Sequence, residues 1–295
     1  MMGMKIMPYV VAIVAVLFWA SAFPAVKYAL DYFSPEGLML FRFLIASAAL
    51  LGYCAVKRVP FPRIRDLPLF ILSGATGIFL YMWAFNTGTD MVAAGISGFI
   101  IASAPVFTLV MSIILLKERV GARVWFGVLL SFGGIVLISA TQLDQGDGFR
   151  LNLGIWLLLG AAICTSFYNI FQKRLLYKYS PIQASAYSVA FGTLFTLVFI
   201  PNMIRDLPGA TPMANAVLIY LGLFPAALAY FLWGYSLSKA EKTIYVTSFL
   251  YLSPFLASVI AYFWLGEVIP PLAYVGGAVI VVGMIITNAA KRAKN

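Results

Sequence analysis

Residues 93–140, AAGISGFIIASAPVFTLVMSIILLKERVGARVWFGVLLSFGGIVLISA, decide the fold. Pro105 interrupts an apolar, glycine-dotted run, Lys117-Glu118-Arg119 ends it, and a second apolar run carries Gly127 and Gly134. The pattern recurs 149 residues later without a gap: Pro105 matches Pro254, Glu118 matches Glu267, and Gly127 and Gly134 match Gly276 and Gly283. An internal repeat of this length fixes the architecture before any single motif is read.

The repeat sits in a chain of 295 residues that is 63% hydrophobic and 10% charged, against about 45–50% and about 25% in a globular protein. Lipid must solvate that excess. Apolar runs of spanning length, roughly 20 residues, lie at 8–30, 36–56, 68–88, 92–116 and 122–140, and again at 152–172, 182–201, 213–236, 243–265 and 270–290. The sequence therefore predicts an all-α polytopic membrane protein with ten transmembrane helices: a five-span repeat over 1–143, a linker at 144–150, and a second repeat over 151–295. Lys5, the apolar run after it and Ala20-Ser21-Ala22 imitate a cleaved signal peptide. The first span is kept, because it has a partner in the second repeat.

Twenty basic residues against ten acidic ones give a net charge of +10. In a membrane protein that excess marks orientation rather than nucleic-acid binding. Sixteen of the Lys and Arg residues fall on one side of the predicted membrane; Lys27, Arg150 and Arg205 fall on the other, and Arg42 lies within a span. Both termini are thus expected in the cytoplasm. Five spans per half force the two halves to enter the membrane in opposite senses, giving inverted repeats, the plan of alternating-access transporters. Ser34-Pro35 and Ser180-Pro181 echo one another at an offset of 146, and Tyr81 and Tyr230 at 149.

Five-span halves, a proline in the fourth span, a glutamate at its end and a glycine-bearing fifth span resemble the drug/metabolite transporter superfamily, EamA type, over nearly the whole chain. Trp19 with Lys27, and Arg42 in the second span, fit the family pattern of the first half. The second half departs from it, with Thr165 and Ser188 at the corresponding positions. Within the superfamily the chain is similar to YddG-type aromatic amino acid exporters of bacterial inner membranes. The resemblance implies a basket of spans 1–4 and 6–9 around a central cavity, with spans 5 and 10 peripheral.

A transport pathway needs polar or aromatic groups facing inward. Thr165, Tyr168, Asn169 and Gln172 form one helical stripe, and Thr243, Thr247, Tyr251 and Pro254 another. Each either lines the pathway or hydrogen-bonds between helices. Trp19, Tyr81, Trp83, Tyr230 and Trp233 can offer flat faces to an aromatic or amphipathic ligand, or pack. Pro105 and Pro254 each remove a backbone hydrogen bond and are expected at hinges; Glu118 and Glu267 are expected to gate or cap opposite mouths. Arg42, a charge that cannot be shed, is grouped with these hinge or gate residues and either binds a substrate carboxylate or pairs with Glu36, Asp90 or Glu267. Lys27 can snorkel outward.

The ten carboxylates all map to loops or helix ends, and the chain has no histidine. A buried proton relay is therefore hard to place, and a facilitator or exchanger is favoured. No HExxH, no paired acids within the bilayer and no GxxxxGK[ST] loop occur, which disfavours an enzyme and an ATP-driven pump and calls for no metal or cofactor. The expectation is a secondary exporter of small organic metabolites, foremost amino acids and among them aromatic ones, with nucleosides, sugars or drugs as the alternative cargo. The lipid bilayer is its one other expected partner, and oligomeric state is left open.

Overall fold

The computed structural model describes residues 2–91, 100–143, 153–265 and 271–289. Glu267 and the 144–150 linker lie outside them. The described residues form helices and short connections, with no strand among them, and contain six helical stretches long and apolar enough to cross a membrane, from Met7–Leu30 to Pro212–Lys239.

In the first half, α1 (Met2–Leu30), α2 (Pro35–Val56), α3 (Leu67–Gly74), α4 (Tyr81–Met91), α5 (Ala104–Leu115) and α6 (Ala122–Leu143) follow one another. The second half supplies α7 (Leu153–Leu175), α8 (Pro181–Thr196), α9 (Ile200–Asp206), α10 (Pro212–Leu221), α11 (Ala229–Lys239), α12 (Ile244–Thr247), α13 (Leu252–Leu265) and α14 (Pro271–Ala289). The Ser-Pro echo becomes a matched pair of helix starts. Ser34 accepts from Gly37 N, Ser180 accepts from Gln183 N in a capping box, and a proline occupies the first turn of each helix, where its missing N–H costs nothing.

A second echo was not legible as a pattern. The 68–88 and 213–236 runs are not uniform α-helices: each contains a π-helical segment, Ala75–Leu80 and Gly222–Leu228, at nearly matching places in the two halves. A π turn inserts an extra residue and disturbs the carbonyl pairing of the turn. Pro225, which has no N–H, adds to that in the second segment. The expected 243–265 helix is also divided, into α12, a 3-10 turn over Ser248–Tyr251, and α13. The 3-10 turn carries Tyr251 about 120° round from Thr247 instead of the about 40° of an α-helix, so it leaves the line of Thr243 and Thr247 although all three are buried. Pro105 and Pro254 both fall within the first turn of the helix that follows a break.

The glycine stripes meet. Cβ atoms at Gly127, Gly134 and Gly283 would each lie 2.6 Å from a carbonyl oxygen of the facing helix: Gly283 O, Gly276 O and Gly127 O respectively. Ser131 Oγ donates to Ile280 O at 3.2 Å between them. This order makes α6 and α14 antiparallel, and the two pack chiefly on one another. Lipid tails are as apolar as leucine, so contact this close, rather than escape from water, drives such a pairing.

Candidate functional site

The main core collects around Tyr230 on α11, the second aromatic of the 149-residue echo. Its ring makes edge contacts with Trp19 (5.6 Å between centroids), Tyr168 (5.5 Å) and Phe43 (6.1 Å), and Trp233 lies 5.0 Å from Trp19. Four helices, α1, α2, α7 and α11, thus place one aromatic group around a common point. Phe43 is the member that sequence reasoning missed. In an apolar run nothing distinguishes it from its neighbours.

The π segments anchor this group. Trp19 Nε1 donates to Pro225 O at 3.0 Å, and Tyr230 OH donates to Gly77 O at 3.2 Å. Each segment thus hands one carbonyl to one site aromatic. Gly77 is required here for a second reason: any Cβ at that position would fall inside the Tyr168 ring. Trp233 Nε1 donates to Asn169 Oδ1 at 2.8 Å. The Arg42 guanidinium lies 5.9 Å from the Phe43 centroid and within electrostatic reach of the Tyr81 and Tyr230 phenols.

The expected binding residues therefore divide. Trp19, Tyr168, Asn169 and Tyr230 come together, and half-buried Tyr81 lies near them, its ring stacked on Phe85 at 5.8 Å. Trp83 is 40% exposed and takes no part; two positions beyond Tyr81, it points about 200° round the helix. Tyr251 is fully buried in a separate cluster with Leu109, Tyr245 and Ile280. Gln172 is an interhelical tie, its Nε2 donating to Ser73 Oγ (3.1 Å), Ser188 Oγ (3.0 Å) and Ala184 O (3.3 Å).

A second polar assembly occupies the end of the molecule that carries most of the basic residues. The Glu118 carboxylate accepts from Thr243 N at 3.0 and 3.1 Å and from Thr243 Oγ1 at 2.7 Å, so a side chain from the first half caps α12 of the second. Arg174 donates to Leu115 O at 2.7 Å. Lys173, one of the sixteen basic residues counted on the cytoplasmic side and placed by the 152–172 span just beyond its helix, is 4% exposed in the last turn of α7 and donates to Leu237 O and Ala240 O at the end of α11. Pro105 is buried, and Ser166 Oγ of α7 donates to the carbonyl of the residue before it, Ala104 O, at 2.9 Å.

Two aspartates join the halves at their loops. Asp66 accepts from Tyr179 OH and Lys178 Nζ, both at 2.7 Å. Asp206 accepts from Ser34 N at 2.8 Å and from Ser34 Oγ. Burial, then the bond to Asp66, pushes the Tyr179 phenol above its ordinary range and keeps it a donor.

Comparison with known proteins places the chain among membrane transporters. The EamA-like transporter family matches twice, over residues 6–140 and 152–289. A probable terminal-alkyne amino-acid exporter of Streptantibioticus cattleyicolor is 37% identical, with 94% of this chain and 91% of the relative aligned. An uncharacterized transporter of Bacillus subtilis, YdfC, is 35% identical over 91% of this chain and 87% of its own. A solved crystal structure at 18% identity shares the fold with a TM-score of 0.77, over 98% of this chain and 99% of the other.

Proposed function

This chain belongs to the EamA-like transporter family, and we propose that it exports amino acids, aromatic ones among them, by alternating access through a central pathway lined by Trp19, Tyr168, Asn169, Tyr230 and Trp233. It is a multi-pass membrane transporter and not an enzyme. The observation that carries the choice of cargo is the buried aromatic group around Tyr230, which combines ring faces with a few placed polar atoms. The name of the Streptantibioticus relative supports the same class of cargo.

The proposed topology is ten spans in two inverted repeats, 1–143 and 151–295 joined by the 144–150 linker, with both termini cytoplasmic in a bacterial inner membrane. Two contacts support the inversion. Ser47 Oγ lies 2.7 Å from Thr193 Oγ1, its counterpart at offset 146, and Ser131 meets Ile280, its counterpart at offset 149. A residue can touch its own counterpart only on the axis relating the halves, and the antiparallel α6–α14 pair requires that axis to lie across the helices. A reporter active only outside the cytoplasm should work when fused in the linker and fail at the C-terminus; the reverse result sinks the topology.

The ties of Glu118 to Thr243 and of Arg174 to Leu115 O close the cytoplasmic mouth in this reading, and must break when it opens. Pro105 and Pro254, each just after a helix break, are the hinges, and Glu267 is the proposed counterpart of Glu118 at the outer mouth. The central test is efflux from proteoliposomes loaded with labelled phenylalanine, threonine or a nucleoside. Phenylalanine should leave fastest. Equal leakage of all three would refute carrier-mediated export, and nucleoside preference would refute the cargo.

A further inference from the structure

The buried polar atoms around Tyr230 are unbalanced between acceptors and donors. Pro225 O, Gly77 O and Asn169 Oδ1 are already engaged by Trp19, Tyr230 and Trp233. Donors are left over. Arg42 Nε, Asn169 Nδ2 and Tyr168 OH meet no partner among the described residues, although their residues are only 4%, 1% and 3% exposed. The Trp233 N–H fixes which end of the Asn169 amide faces it, so the free end is the NH2. Among the carboxylates whose side chains are described none pairs with Arg42, and Asp90 and Glu267 fall outside that set.

Burying an unpaired donor is unfavourable, and a guanidinium cannot lose its proton to escape. Such a set is the complement of a small anion rich in lone pairs, and a single fixed cation matches a single negative charge. We propose that Arg42, with Asn169 Nδ2 and Tyr168 OH, forms the carboxylate subsite of the pathway, so that solutes bearing a carboxylate are selected over their decarboxylated amines. The assignment rests on the amino-acid-export reading above. The Trp19 and Tyr230 rings next to it take the ammonium or the side chain of the substrate through their π faces.

The test uses vesicles loaded with labelled phenylalanine and two competitors. 3-Phenylpropionate keeps the ring and the carboxylate, whereas phenethylamine keeps the ring and the ammonium. On the wild type the acid should inhibit efflux at roughly tenfold lower concentration than the amine, the scale of one charge-assisted contact. Arg42→Gln should erase that preference, and Arg42→Lys should restore part of it. Equal potency of the two competitors on the wild type overturns the subsite, as does an Arg42→Gln protein that keeps the preference. The wild-type comparison stands even where the Gln variant fails to fold. Absence of any phenylalanine efflux sinks the export reading instead, and quenching of tryptophan fluorescence by the two competitors then still ranks them.

Discussion

Arg42 and Ser188 stand eight residues into helical stretches that open on the same Ser-Pro cap, at matching positions of the two halves, and they do opposite things. Ser188 is fully buried and accepts from Gln172, whose amide also binds Ser73 and Ala184 O: its surroundings are tied helix to helix. Arg42 is nearly as buried, yet its Nε is left without a partner. The halves agree where the chain needs mechanics, in the caps, the π segments, the prolines and the glycine stripes. They diverge at Arg42 and Ser188, where the proposed carboxylate subsite occupies one half only. A single cationic position suits an asymmetric solute such as an amino acid, which a strictly two-fold site would not match.

The largest effect should come from exchanging the two positions. Ser188→Arg places a second cation in a tightly tied helix contact with no carboxylate recorded beside it and should destabilise the protein by roughly 3 kcal/mol or more, seen as loss of the folded fraction in detergent. Arg42→Ser should leave thermal stability unchanged or raised, since it removes an uncompensated charge, while abolishing the preference for carboxylates. Comparable destabilisation by both would erase the distinction between a binding position and a packing one.

Next in size is the glycine seam. Gly134→Val drives a branched side chain into Gly276 O and Ile280 and should cost about 1–3 kcal/mol of stability, with little change in substrate preference once the protein is folded. Gln172→Leu should cost a similar or slightly smaller amount, about 1–3 kcal/mol for the polar groups left unpaired, without altering the KM for phenylalanine. A raised KM would move Gln172 from the tied region into the binding one. Glu118→Ala should be mildest in stability, about 0.5–2 kcal/mol for a lost cap, yet it should raise labelling of a cysteine at position 243 from the cytoplasmic side. Unchanged labelling would leave Glu118 a cap and remove it from the gate.

Much of the architecture was legible because it is local or periodic. Spanning lengths, Ser-Pro starts and small-residue stripes are all written along the chain, and the oddness of Arg42 is a matter of one charge in an apolar run. Of the Thr165-Tyr168-Asn169-Gln172 stripe, the last three are buried in α7 and Thr165 is half-buried. The stripe did not reveal that Asn169 keeps a free NH2 whereas Gln172 commits its NH2 to three partners and keeps only Oε1 free. Tyr251 was misplaced by a 3-10 turn, and Lys173 by its likeness to a loop cation, although it reaches the last carbonyls of α11.

The sequence by itself determined a repeated, lipid-solvated chain and the residues too polar or too small to face lipid. Tertiary structure alone decided which apolar and aromatic faces meet. Hydrophobic periodicity separates inside from outside in water, but lipid accepts an apolar face as readily as protein does, so Trp83 and Trp233 read alike until neighbours are assigned. Only the packed fold shows Trp233 bound to Asn169, the π-segment carbonyls of Gly77 and Pro225 bound to Tyr230 and Trp19, and Arg42 left with a donor to offer.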